Sequence, residues 1–302
     1  MIASLKQKIL QNDTFQTVAA YVSHQKSRKR LDRTYSALLE RYREEPEYKE
    51  PVPESDSPYL WICWWQGRES MSPLVRGCVE RIQMLHPHRK VVLITEKNMQ
   101  EYVRFPTLIL EKCRSGGITP TNMSDLLRCR LLAQYGGCWM DATLYLTEAL
   151  PERFEDYPLY TGRYPRNPKD QNISANRWTS YFMMAKHPGN VLFRFLDDFW
   201  THYWEQNDRL TEYFMIDYAL DLAYRNIPAV RRQLDQVPVN GCGQDPWLLL
   251  RKLSQPYDQD WMKKMQEQNW MQKLSYKGET SIQKKAPEPE NSIYKILFLD
   301  GK

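Results

Sequence analysis

No apolar run in this sequence approaches the roughly 18–20 residues that a membrane-spanning helix needs. The opening residues, Met1-Ile2-Ala3-Ser4-Leu5-Lys6-Gln7-Lys8, contain no apolar stretch followed by a small-residue cleavage site. Six cysteines (63, 78, 113, 129, 138 and 242) are scattered without a CxxC pair or a Cys/His cluster. That spacing argues against a disulfide frame or a zinc site, and the thiols are expected to be reduced and mostly buried. A cytoplasmic address follows as the simplest expectation. Walker, GxGxxG, GxSxG and HExxH motifs are all absent. The five histidines (24, 86, 88, 187 and 202) show no metal-ligand spacing, and His86 and His88, flanking Pro87, are expected in a loop. Charge of one sign is also scarce. With 42 basic and 37 acidic residues the net charge is +5, too small an excess to imply nucleic acid binding. It is compatible with phosphate-bearing ligands or an anionic membrane surface.

What is present is aromatic surface and α/β alternation. Ten Trp and nineteen Tyr supply flat apolar faces with polar edges, suited to stacking on sugars and bases, although core filling explains most of them. Residues 1–50 have no Gly, and no Pro before Pro46, and are expected to form a helical extension. Leu5, Ile9 and Leu10 suit one helical face; Leu31, Tyr35, Leu38, Leu39 and Tyr42 suit another. Between them runs His24-Gln25-Lys26-Ser27-Arg28-Lys29-Arg30, followed by Arg33. This reads either as a solvated helix face or as a basic dock for acidic lipid headgroups at the inner face of a membrane.

After a proline-punctuated linker at 44–53, a second unit (51–302) begins. Tyr59-Leu60-Trp61-Ile62-Cys63-Trp64-Trp65 reads as a buried strand, residues 73–85 as a helix, Lys90 to Thr95 as a strand, and Asn98 to Val103 as a helix start. This βαβ order opens a parallel-sheet α/β domain. Ser124 to Tyr135 reads as a helix closed by Gly136-Gly137, followed by the strand Cys138-Trp139-Met140 ending at Asp141, with Leu144-Tyr145-Leu146 continuing apolar. Asp141 is thus expected at a strand end, the usual mouth of a ligand crevice. Trp178 to Ala185 is a strand candidate, and Asn190 to Trp204 and Thr211 to Tyr224 are helix candidates.

Asp125 and Arg128, three apart, share a helix face and can pair, which would keep the carboxylate ionised and able to accept hydrogen bonds from hydroxyls. Alone, such a pair is common on helix surfaces. Its sequel is less common: Ser124-Asp125-Leu126-Leu127-Arg128, then Tyr135-Gly136-Gly137, then Trp139-Met140-Asp141-Ala142-Thr143. This string resembles the core of glycosyltransferase family 32, especially its capsular polysaccharide synthesis branch. Trp64-Trp65-Gln66-Gly67, Leu93 to Asn98, Trp178 to Ala185 and Lys273-Leu274-Ser275-Tyr276-Lys277 resemble further family segments in the same order.

The resemblance implies a GT-A type fold, a Rossmann-like mixed sheet flanked by helices. It implies a retaining sugar transferase that uses a nucleotide-sugar donor, UDP-linked in preference to GDP-linked. The acceptor would be a glycan or a lipid-linked precursor. Asp125 and Arg128 would hold donor sugar and ribose, and Asp141 would be the first acid of a D-x-D-type position. Trp64, Trp65, Gln66, Asn98, Thr143 and Lys273 would complete the donor site. A divalent cation, Mn2+ or Mg2+, normally meets the diphosphate charge on carboxylate oxygens. Here the second acid is replaced by Thr143, a weak ligand for a hard cation. The metal could sit on Asp141 with help from Asp245; it could be held mostly by phosphate and water; or Lys273 and Lys277 could take its place. A binding relative without turnover, and a phosphosugar hydrolase or nucleotidyl enzyme on a similar sheet, are the competing functions.

Overall fold

The computed structural model describes residues 13–167, 170–277 and 290–300; Leu5, Ile9 and Leu10 lie outside them. Two helices come first, α1 (Asp13–Thr34) and α2 (Ser36–Tyr42). Leu31, Tyr35, Leu38, Leu39 and Tyr42 are buried, as their spacing predicts. The strands and helices that follow are β1 (Tyr59–Cys63), α3 (Pro73–Leu85), β2 (Lys90–Ile94), α4 (Met99–Tyr102), α5 (Thr107–Arg114), α6 (Pro120–Tyr135) and β3 (Gly137–Met140). Then come β4 (Leu144–Leu146), β5 (Leu159–Thr161), β6 (Phe182–Ala185), α7 (Val191–Gln206), α8 (Met215–Asn226), α9 (Pro228–Gln236), α10 (Gln259–Gln268), β7 (Met271–Lys273) and α11 (Ile293–Phe298).

The main sheet has the order β2-β1-β3-β6-β5. Strand β1 runs parallel to both β2 and β3, while β6 is antiparallel to β3 and β5. The carboxyl ends of β1, β2 and β3 therefore share one edge with the start of β6, and the backbone N–H of Asp141 donates to Tyr181 O at 2.9 Å. The βαβ alternation accounts for the parallel pairing of β1 with β2, while the antiparallel β6 makes the sheet mixed, as the family resemblance implies.

Helix α6 begins four residues before the predicted Ser124. Thr119 caps it: its hydroxyl accepts from Asn122 N, the Asn122 side chain reaches back to the Thr119 N–H, and Pro120 takes the first helical position. The helix then buries Leu126, Leu127, Leu131 and Leu132 between the sheet and α7. The glycines that end it are needed for space as well as conformation. Gly136 and Gly137 have φ of 65° and 84°, and a Cβ on Gly137 would stand 2.4 Å from Tyr59 O. The tight turn lets β3 lie directly against β1, where Trp61 Nε1 donates to Gly136 O at 2.9 Å.

Leu144–Leu146 does not prolong β3. Asp141-Ala142-Thr143 turns, with Leu144 N donating to Asp141 O at 2.9 Å, and β4 pairs instead with β7 in a second sheet. That register sets Leu144 opposite Lys273. The predicted strand at Trp178 to Ala185 shortens to Phe182–Ala185, and α8 starts at Met215 rather than Thr211, whose N–H donates to the Tyr203 hydroxyl at 2.8 Å.

The aromatic helix α7 buries Phe193, Phe195, Phe199, Trp200, Tyr203 and Trp204, so these rings fill core. Tyr35 and Tyr42 of the N-terminal helices pack on Phe199 and Phe195 with ring centroids 4.6 and 5.5 Å apart. Part of the basic run faces the same way. Asp221 of α8, 1% exposed, accepts from Arg28, Arg177 and Arg225 at 2.7–2.9 Å, and Arg30 pairs with Glu212 at 3.1 Å. Lys26, Lys29 and Arg33 remain exposed. All six cysteines are free, four of them buried. His86 and His88 lie in the loop between α3 and β2, as expected; His86 is buried there, its Nδ1 pairing with Ile82 O and its Nε2 accepting from Leu150 N. No helix of the described residues is long and apolar enough to cross a membrane.

Burial pushes the Asp221 carboxyl up, but its three guanidinium partners outweigh this and hold it below the usual range. Its stabilising contribution is therefore present above the ordinary carboxylate pKa and lost as pH falls through the depressed folded value. Asp221→Ala should cost about 3–5 kcal/mol at pH 7, the usual price of leaving buried charges unpaired. Urea unfolding at pH 7 checks it; a loss under about 1 kcal/mol would show the cluster to be dispensable.

Candidate functional site

The cleft lies where β1 and β3 end, as expected for an open α/β sheet. Arg128 sits at its base, only 5% exposed. Its Nη2 lies 3.2 Å from Asp125 Oδ1 and 3.6 Å from Asp141 Oδ1, its Nε donates to Ser124 O at 3.3 Å, and its Nη1 donates to Ser180 O ahead of β6. The guanidinium also lies 5.0 Å from the Trp139 ring. Trp139 Nε1 in turn donates to Asp141 Oδ1 at 3.0 Å. The Trp-x-Asp spacing thus has a local cause: the indole at the strand end steers the carboxylate two residues on. Lys273 closes the other side, 3.1 Å from Asp141 Oδ2, and its ammonium donates to the Thr143 hydroxyl.

These charges split the carboxyls. Burial pushes Asp141 up, yet Lys273, Arg128 and the indole N–H together hold it below its usual range. Asp125 has only a share of Arg128; burial, with the Asp141 charge added, raises it to about 6. The expected ion pair with Arg128 forms, and a carboxyl titrating at about 6 is still ionised at neutral pH, but desolvation narrows the margin.

Two cavities meet at this point, each lined by Asp141 and Lys273. One, of 400 Å3, is lined by Trp64, Trp65, Gln66, Thr143, Tyr276 and Lys277 among others. Trp64 stands edge-on to Tyr276 at 5.4 Å, with its Nε1 donating to Ser70 Oγ at 2.9 Å. The other, of 560 Å3, is walled by Tyr164, Trp178, Tyr181, Phe214 and Trp247, with Asp217, Asn172, Asn176 and Gln244 as polar groups. Asp217 accepts from Trp178 Nε1 at 3.0 Å, and burial pushes its carboxyl to about 6.

The structure therefore gathers Trp64, Trp65, Gln66, Arg128, Asp141, Thr143 and Lys273 at one cleft, with Asp125 packed behind Arg128. Asn98 is elsewhere. Its Oδ1 accepts from Thr95 N at 2.7 Å and its Nδ2 donates to Leu93 O at 3.0 Å, which closes the turn after β2. Asp245 also points away, bonded to Trp247 N and Arg251. Asp217, Phe214, Trp247 and Tyr164 were not legible beforehand. Asp217 looks like an ordinary polar position in an amphipathic helix, and only the packing of α8 against the Trp178 segment aims it into a cavity.

The side chains present do not suit a protein-held divalent cation. The oxygens of Asp141 face Trp139, Arg128 and Lys273; the Thr143 hydroxyl is taken by Lys273; Asp245 is turned away. Among the described residues no three His, Cys, Asp or Glu converge. An ammonium stands where a hard dication would need a second carboxylate.

The sequence model of the family described as "Capsular polysaccharide synthesis protein" matches residues 7–297. The chain belongs to this family. Among curated proteins, the O-glycosyltransferase PaGT of Phomopsis amygdali is 27% identical over 170 residues, half of this chain and 40% of PaGT. The chain thus spans well under two thirds of that relative's length. Among solved structures, the PaToxG glycosyltransferase aligns over 92% of this chain and 98% of its own at 12% identity, with a TM-score of 0.38. The galactosyltransferase LgtC, solved with donor and acceptor sugar analogues, aligns over 77% of this chain and 98% of its own at 8% identity and a TM-score of 0.37.

The raised Asp125 carboxyl carries a stability signature for this family member. Folding favours its protonated form, so its contribution is complete below the unfolded value of 3.8 and lost as pH rises through about 6. Relative to wild type, Asp125→Asn should gain roughly 2–3 kcal/mol between pH 4 and pH 7. Urea midpoints at the two pH values test this; a pH-independent difference would mean that Asp125 titrates normally.

Proposed function

We propose that the chain is a GT-A type glycosyltransferase that moves a sugar from a nucleoside diphosphate donor, UDP-linked in preference to GDP-linked, to a glycan or lipid-linked acceptor with retention of anomeric configuration. The observation that carries this reading is the double cleft joined at Asp141 and Lys273. The Trp64/Trp65 lobe offers aromatic faces to a base and leads to Lys273 and Lys277. The larger lobe offers aromatic walls and hydroxyl-binding groups, the composition that suits a sugar. The bond to be broken would lie at their junction. Membership of the capsular family and the PaGT likeness support the same chemistry.

Breaking a sugar–phosphate bond leaves charge on the diphosphate. Lys273, held by Asp141 and Thr143 in a buried setting, is preorganised to meet it, with Lys277 beside it in the same lobe. Asp141 would position Lys273 and accept from ribose or sugar hydroxyls, with Arg128 fixing its orientation. The exposed Lys26, Lys29 and Arg33 of α1 leave room for contact with an anionic membrane surface.

Calorimetric titration with UDP and with GDP, in EDTA and in manganese, tests the reading. UDP should bind in EDTA with a dissociation constant within about threefold of that in manganese, since ammonium groups do the holding. Binding that requires manganese would replace the lysine assignment with a metal one. Failure of both nucleotides to bind would remove the transferase reading. Asp141→Asn should fold normally yet lose at least about tenfold in turnover, roughly 1.4 kcal/mol of transition-state stabilisation. Trp65→Ala should weaken UDP binding; an unchanged constant would make Trp65 a packing residue.

A further inference from the structure

Beyond the aromatic lobe lies a third cavity of 500 Å3, which shares Tyr164, Pro165 and Asn176 with that lobe as a common wall. Four arginines line it, Arg28, Arg163, Arg166 and Arg177, and among the described residues no carboxylate does. In a chain whose net charge is only +5, such a local concentration of one sign is not a sample of the average surface.

The guanidiniums are held in place without being fully neutralised. Arg163 Nη1 donates to the carbonyls of Leu234, Asp235 and Val237 at 3.0–3.1 Å, at the end of α9, and its nearest carboxylate, Asp235, is 3.9 Å away. Arg177 donates to Ser174 O and Ile173 O, and its guanidinium lies 4.2 Å from the Trp178 ring that walls the aromatic lobe. Carbonyls and rings orient a guanidinium but remove none of its charge. Arg28 and Arg177 do reach a carboxylate, but both rely on the single Asp221, which also accepts from Arg225, itself paired with Asp32 at 2.9 Å. Arg166 is exposed, with no ion pair among the described residues.

We infer that this cavity is a subsite for a phosphate or diphosphate group carried by the acceptor, whose sugar end enters the aromatic lobe. Arginine suits the task because its planar fork binds phosphate oxygens two at a time, and guanidiniums fixed by carbonyls lose little freedom on doing so. The wall shared with the aromatic lobe lets one molecule place its sugar by the rings and its anion among the arginines. Exposed Val239 on the cavity lining and exposed Phe214 on the adjoining lobe give an attached alkyl chain somewhere to lie. The acceptor class so defined is a glycosyl phosphate, soluble or lipid-linked. The assignment of an acceptor rests on the transferase reading; the anion subsite itself does not.

The probe is inorganic pyrophosphate, titrated calorimetrically into wild type, Arg166→Glu, Lys277→Gln and, as a control of equal charge change, Arg76→Glu at a distant exposed position. Arg166→Glu places a negative charge at the cavity without disturbing a contact. It should weaken one class of pyrophosphate site at least tenfold while leaving UDP affinity unchanged, and Arg76→Glu should not. Pyrophosphate binding equal in wild type and Arg166→Glu, or weakened equally by Arg76→Glu, would overturn the subsite. If that binding is lost only in Lys277→Gln, the anion sits in the donor lobe; the subsite then fails while the transferase reading stands. If UDP does not bind but the Arg166→Glu effect persists, the transferase reading fails and the subsite stands. Repeating the titration with decyl diphosphate separates the two sources: tenfold tighter binding than pyrophosphate, sensitive to Arg166→Glu, marks a lipid-linked acceptor, and equal affinity with the same sensitivity marks a soluble one.

Discussion

A single buried guanidinium organises the cleft. Arg128 is drawn out of water in the middle of α6, where it must be compensated by every neighbour within reach. Asp125 comes from its own helix, Asp141 from the end of β3, and the Ser180 carbonyl from the segment that enters β6. These three contacts tie together the elements whose ends form the binding edge. Because one cation serves two carboxylates, the two cannot be equivalent. Asp141 gains Lys273 as a second partner and is held below the usual carboxylate range, whereas burial raises Asp125 above it.

The turn at Asp141-Ala142-Thr143 extends this logic across the molecule. It ends β3 and sends the chain into a separate two-stranded sheet, whose register delivers Lys273 from more than a hundred residues downstream. Thr143 then hydrogen-bonds the lysine instead of offering a second carboxylate. An acid at that position would have presented the oxygens a cation needs; a hydroxyl leaves the ammonium as the resident positive charge.

The same economy of charge recurs in α8. Asp221 anchors three arginines, two of which reach the cavity beyond the aromatic lobe. The N-terminal helices are part of this arrangement. Their basic run contributes Arg28 to the interior and leaves only some of its charge facing solvent, while Tyr35 and Tyr42 lock into the aromatic face of α7.

The helices and the parallel strands were legible in the sequence because their signals are local: apolar spacing, β-branched runs, and the Gly136-Gly137 stop. The same local signals put Asp125 and Arg128 on a helix face and Asp141 at a strand end, but only the family resemblance of the string that holds them marked them as site residues. The course of Leu144–Leu146, the turning of Asn98 and Asp245 away from the cleft, and the entry of Asp217 into a cavity were not legible. Each depends on a partner distant in sequence, as do the depth of burial that raises Asp125 and the convergence of Arg28, Arg163, Arg166 and Arg177. Local periodicity determined the elements and the order of the motif. Which charges meet, and how far their titration is shifted, was decided only when packing removed water from around them.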